Sequence, residues 1–173
     1  MRNKLSLVLL ATAFSLALWA SSEAPVVYVA NQGIDKIQVV DTDAKKVIKE
    51  IDVAKTPHNI TFSADKKWAF VASVGSGDVT ILDVEKGTVA AKIPADARAN
   101  GVALAPDGKE LYVINVGADN VTVVDVPAKK AIYNVGVGKA PAVAAFSKTV
   151  GKRTSRSEET RGLPSSIPKS AKF

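Results

Sequence analysis

An all-β fold assembled from repeats is predicted by three features of the sequence: a 42-residue internal period, four short β-type runs in each period, and turn residues at fixed places between them. Tyr28-Val29-Ala30-Asn31 recurs as Phe70-Val71-Ala72-Ser73 and as Tyr112-Val113-Ile114-Asn115. The same offset carries Ile37-Gln38-Val39-Val40-Asp41 onto Val79-Thr80-Ile81-Leu82-Asp83 and Val121-Thr122-Val123-Val124-Asp125. It also carries Ile60-Thr61-Phe62-Ser63 onto Val102-Ala103-Leu104-Ala105 and Ala144-Ala145-Phe146-Ser147. Chance does not keep three segments in register without a gap.

The chain begins with Arg2 and Lys4 ahead of an uncharged run from Leu5 to Trp19, the order of a positive n-region and an apolar h-region. Residues 1–22 therefore read as a secretory signal with a signal helix, cleaved after Ala20 or Ser22, which places the mature protein in the periplasm or outside the cell. The apolar run of about 15 residues falls short of the roughly 20 that span a bilayer, so no membrane span is expected in the mature form. No cysteine follows it to carry a lipid anchor.

Residues 23–147 hold the repeats, and four runs in each are named a to d in order. Strand a covers Asn59–Ser63 and Gly101–Ala105. The a–b turn is Ala64-Asp65-Lys66 in one repeat and Pro106-Asp107-Gly108 in the next, where proline supplies a fixed φ and glycine a positive one. Strand b holds the aromatic-Val pair, strand c ends on the recurring aspartate, and strand d covers Val47–Val53, Thr88–Ile93 and Ala131–Val137. Pro57 and Pro141 fall in the links from one repeat to the next. Strands b and c are nearly continuous apolar runs, as a strand buried on both faces requires. Small sheets stacked face to face around an axis bury both faces in this way, so a partial β-propeller of about three four-stranded antiparallel blades is expected. Strand d alone interleaves charges, Lys49 and Asp52 among Ile48, Ile51 and Val53, the mark of an outer edge.

The tetrads Tyr-Val-Ala-Asn and Tyr-Val-Ile-Asn, the Val-Val-Asp strand end and the Ala-Pro-Asp-Gly-Lys turn resemble the YVTN family of β-propeller repeats over residues 25–147. The resemblance implies a propeller fold. It implies no single function, because such repeats occur in surface proteins, periplasmic binding propellers, propeller lactonases and haem-binding domains related to nitrite reductases.

After Ser147 the pattern stops. Residues 148–173 are rich in Arg, Lys, Ser and Pro and poor in apolar residues, the composition of a disordered basic tail. The switch falls inside a repeat, which points to a truncated or shifted reading frame. The net charge of +6 resides at the two ends, since residues 23–147 carry 14 basic against 15 acidic residues. A neutral folded region argues against a nucleic-acid groove.

The chemistry available is sparse. The chain has no cysteine and one histidine, which removes disulfides, thiolate metal sites and thiol nucleophiles. His58 precedes strand a, the strand nearest the channel, and in haem-binding relatives of the family a channel histidine can be an axial ligand. That makes His58 the one candidate haem or metal ligand, yet its repeat equivalents are Asn100 and Ala142, so no ring of ligands forms. Asp41, Asp83 and Asp125 stand at identical places in different repeats and cannot converge; they are read as acceptors for turn amides. Asn31 and Asn115 are read as turn residues. Gly75-Ser76-Gly77 and Gly136-Val137-Gly138 precede no helix and so cradle no phosphate.

These features describe an exported, non-catalytic binding or scaffold module with no predicted cofactor, whose protein or small-molecule ligand the sequence does not name. The alternative is a fragment of a propeller enzyme or haem-binding propeller. Counting b, c, d, two full sets and a final a gives twelve strands, or three blades. Three blades would need a wedge of about 120° each to close a ring, against about 60° for six. Two chains that each lend the final strand a to the other's first blade would make a six-bladed, strand-swapped homodimer.

Overall fold

A computed structural model describes residues 25–147. The signal at 1–22 and the tail at 148–173 lie outside the described residues. Eleven strands form three antiparallel sheets with no helix among the described residues. The first sheet comprises β1 (Val26–Asn31), β2 (Lys36–Asp41) and β3 (Lys46–Asp52). The second comprises β4 (Pro57–Phe62), β5 (Trp68–Ser73), β6 (Asp78–Asp83) and β7 (Thr88–Pro94). The third comprises β8 (Ala99–Leu104), β9 (Glu110–Asn115), β10 (Asn120–Asp125) and β11 (Lys130–Gly136). Each is a meander in which consecutive strands are neighbours.

Registers repeat with the sequence. Phe70 pairs with Ile81 in the second sheet as Tyr28 pairs with Val39 in the first and Tyr112 with Val123 in the third. The turns repeat too, although their residues differ. Positive φ occurs at Asp35, Gly77 and Asp119 in the b–c turns, at Lys45, Gly87 and Lys129 in the c–d turns, and at Thr56, Arg98 and Ala140 in the links. Only Gly takes that conformation without cost, so the meander geometry imposes it on Lys, Thr, Arg and Ala.

Side chains of the second sheet alternate between two cores, as the two-residue period of a strand dictates. Ala69, Val71 and Leu82 pack towards the first sheet with Ile37, Val39, Ile51 and Val53. Phe70, Ala72, Val79, Ile81 and Ile93 pack towards the third with Val102, Leu111, Val113 and Val124. The expectation of burial on both faces therefore holds for β5, β6 and β10. It fails for β1, where Val26, Val27 and Val29 are exposed, because among the described residues that sheet has a neighbour on one face only and no inner strand.

Two readings need correction. Pro57 opens β4 instead of lying in the link, a place proline tolerates because the first residue of a strand can forgo its donor. The twelfth strand does not form: residues 138–147 run beside β8 without pairing, since a strand needs a ladder partner and none of the described residues supplies one.

Candidate functional site

A cleft of about 630 Å³ lies between the second and third sheets, at the end where the a–b and c–d turns meet. Its floor and walls are apolar: Phe62, Trp68, Phe70, Ile81, Leu104 and Val126. The strand pleat explains the placement. Phe70 and Ile81 face the third sheet from β5 and β6, and the last residue of β4 and first of β5 bring Phe62 and Trp68 to the rim.

The rim is polar and held in place by its own hydrogen bonds. The Ser63 hydroxyl donates to Asp65 Oδ1 at 2.6 Å and accepts from the Trp68 amide at 3.0 Å, while Asp65 Oδ1 also accepts from the Lys67 amide at 3.1 Å. The Ser63 hydroxyl and then the Lys67 amide hold the Asp65 carboxyl below its usual range. On the opposite lip Asp107 Oδ1 accepts from the Lys109 amide at 3.1 Å, and Gly108 closes the turn with φ of 72° by donating to the Ala105 carbonyl. Lys129 Nζ lies 5.1 Å from the centre of the Trp68 ring, and Lys66 Nζ 5.8 Å from that of Phe62. Ammonium groups at such distances are attracted to the ring faces. The cleft thus offers flat aromatic surface beneath a rim that carries the Lys129 ammonium and the Asp65 and Asp107 carboxylates.

Trp68 is the residue that sequence reasoning missed. Its repeat equivalents are Val26 and Glu110, so a tryptophan at that place was itself a departure from the pattern.

The residues singled out beforehand are dispersed. His58 is the second residue of β4, at a bulge, and its Nδ1 donates to the Asn100 carbonyl at 2.9 Å. It borders a recess of about 140 Å³ that also touches Asn100 and Ala142. That volume is well below the roughly 300 Å³ at which small-molecule clefts begin. No three His, Asp or Glu side chains converge on a metal position among the described residues. The strand-end aspartates serve their own turns. Asp41 Oδ1 accepts from the amides of Asp43 and Ala44, Asp83 Oδ1 from Lys86 and Asp125 Oδ1 from Ala128. The Lys86 ammonium, 2.8 Å from Asp83 Oδ2, keeps that carboxyl below its usual range.

Asn31 is a turn residue, accepting from the Gly33 amide. Asn115 is not: it is fully buried, and its Nδ2 donates to Asn120 Oδ1 at 2.7 Å and Thr122 Oγ1 at 2.8 Å while Oδ1 accepts from the Asp96 amide. In the second sheet the equivalent set is Ser73, Asp78 and Thr80. There Ser73 Oγ, Asp78 Oδ1 and Thr80 Oγ1 have no partner among the described residues, because serine is too short to bridge what asparagine bridges. Burial raises the Asp78 carboxyl, opposed by the Ser76 hydroxyl and the Lys92 ammonium.

No family model and no curated protein sequence matches this chain. Solved structures do. Hydrazine synthase of Kuenenia stuttgartiensis is 22% identical over 67% of this chain and 34% of its own, with a TM-score of 0.64. The dihydro-haem d1 dehydrogenase NirN, in complex with DHE, is 23% identical over 68% of this chain and 27% of its own, with a TM-score of 0.59. Apo AztD from Citrobacter koseri is 19% identical over 71% of this chain and 35% of its own, with a TM-score of 0.57. The chain spans about a third of the length of these structures, or less. At such identities the likeness concerns architecture alone: the described residues form three blades of a β-propeller.

Proposed function

We propose that this chain is an exported, non-catalytic binding module of the YVTN-repeat kind, and that its ligand enters the cleft between the second and third blades. The observation that carries the reading is the cleft itself, a volume of about 630 Å³ walled by Phe62, Trp68 and Phe70 and rimmed by Asp65, Asp107 and Lys129. Small-molecule sites are concave and mostly apolar, with a few fixed polar groups. Aromatic walls favour a flat apolar body, and the Lys129 ammonium beside Trp68 favours an anionic substituent on that side of it, away from the Asp65 and Asp107 carboxylates. Export is supported by the charged start and apolar run of residues 1–19.

A flat anionic dye, 1-anilinonaphthalene-8-sulfonate, is a suitable probe. The mature chain would lack Trp19, leaving Trp68 as its one tryptophan. The dye is expected to bind saturably at one site per chain and to quench Trp68 emission. Trp68→Ala, checked for retained β-structure by circular dichroism, is expected to weaken binding about tenfold or more, the equivalent of about 1.4 kcal/mol. Unchanged dye affinity in Trp68→Ala would place the binding elsewhere on the blades and refute the assignment.

A further inference from the structure

The structure holds an open place and a segment built to fill it. In the second and third blades an inner strand, β4 or β8, pairs along β5 or β9. In the first blade β1 has no such partner among the described residues. The Thr42 amide donates to the Pro25 carbonyl at 3.2 Å, and the alternation of an antiparallel ladder then directs the amides of Val27 and Val29 to β2. The amides of Val26, Tyr28 and Ala30 consequently line the open edge. The edge carries no charged residue from Val26 to Asn31, whereas exposed edges are ordinarily guarded by charge or proline.

Residues 140–146 have the setting of an inner strand without the pairing. Ala140 takes φ of 52°, as Thr56 and Arg98 do ahead of β4 and β8. Its amide donates to Asp119 Oδ1 at 2.8 Å, as the Thr56 amide does to Asp35 Oδ1 at 2.8 Å. Asn100 Nδ2 donates to the Ala142 carbonyl at 3.4 Å, one repeat on from the bond between His58 and the Asn100 carbonyl. The ring of Phe146 meets Tyr112 edge-on at 5.2 Å and 83°, as Phe62 meets Tyr28 at 5.2 Å and 80°.

We infer that residues 141–146 of one chain pair with the open edge of β1 in a second copy, and that two such exchanges close a six-bladed ring. The β4–β5 ladder supplies the register: Pro57 faces Ser73, Asn59 faces Ala72, Ile60 faces Val71, Thr61 faces Phe70 and Phe62 faces Ala69. Shifted by whole repeats, Pro141 faces Asn31, Val143 faces Ala30, Ala144 faces Val29, Ala145 faces Tyr28 and Phe146 faces Val27. The pairing covers Val27 and Val29, 49% and 40% exposed, and Val143 and Phe146, 87% and 43% exposed. It is strand addition to a sheet edge, with the added strand exchanged between identical chains.

The absence of cysteine makes cross-linking a clean test. The Ser63 amide donates to the Trp68 carbonyl, so Ile60 and Val71 form a non-hydrogen-bonded pair; Ala144 and Val29 inherit that relation. Such pairs lie about 4.5 Å apart at Cα, within disulfide reach. Full-length protein carrying both Val29→Cys and Ala144→Cys is expected to become a covalent dimer on mild oxidation, while a pair three residues out of register, Val26→Cys with Ala144→Cys, does not. Unmodified protein is expected to scatter light as a dimer at micromolar concentration. A disulfide formed within one chain, the absence of any disulfide, or a folded monomer by light scattering would each overturn the inference. None of these outcomes bears on dye binding at Trp68.

Discussion

Phe70→Ala is expected to lower the unfolding free energy by about 3–5 kcal/mol, the range for deleting a buried aromatic ring. Phe70 is fully buried, belongs to the core between the second and third blades, and also walls the cleft. Its neighbours Ile81, Val113 and Leu111 come from two strands in two different sheets, so they cannot all move into the space the ring vacates. Domains of this size have a stability of only about 5–15 kcal/mol. The variant should therefore unfold at much lower urea concentration, read by circular dichroism, and lose dye binding with its fold. Tyr28 holds the equivalent place in the first blade but is only partly buried, and Tyr28→Ala should cost less. Equal losses at the two positions would mean that the first blade is as well covered as the second.

Asn115→Ala is expected to destabilise the protein by about 2–4 kcal/mol, since it strands several buried polar groups, each costing about 1–3 kcal/mol when unpaired. The Asp96 amide, Asn120 Oδ1 and Thr122 Oγ1 all lose a partner with it. Asn120 Nδ2 still donates to Asp96 Oδ2 at 2.8 Å, which keeps the estimate below the full sum. Ser73→Ala, at the same blade position, should be neutral or mildly stabilising because the Ser73 hydroxyl bonds to none of the described residues. Urea unfolding of the two variants side by side is the check. A costly Ser73→Ala would show that the hydroxyl is hydrogen-bonded in the folded protein in solution.

The repeat made the blades legible before any coordinates, because cross-strand registers follow directly from the 42-residue offset of Tyr28, Phe70 and Tyr112. The turn conformations were legible only in part. Gly108 announced positive φ, but Asp35, Lys45 and Thr56 take it too, compelled by the path of the turns and links and not by residue type. The final inner strand was overread, since Ala144 to Ser147 has the right pattern and lacks a ladder partner among the described residues. Asn115 was misplaced because asparagine after a strand suggests a turn; its burial depends on Asp96 and Thr122, which belong to other elements. Trp68 escaped notice for a related reason. A strand tolerates tryptophan as filler, and only the approach of Lys129 and Leu104 from the next blade turns it into the wall of a cleft.

The central claim is that these sheets are blades packed around one axis, with β4, β8 and residues 140–146 in successive inner positions. Nuclear Overhauser spectra of the folded protein test it directly, because contacts between blades are invisible to any method that senses strand content alone. Ring-to-ring cross-peaks are expected between Tyr28 and Phe62 and between Tyr112 and Phe146, both pairs at 5.2 Å, with a further set linking the Trp68 indole to the Lys129 side chain. A spectrum that shows the strand pairs within each sheet but none of these cross-peaks would describe three sheets strung on a chain, and would contradict the propeller arrangement.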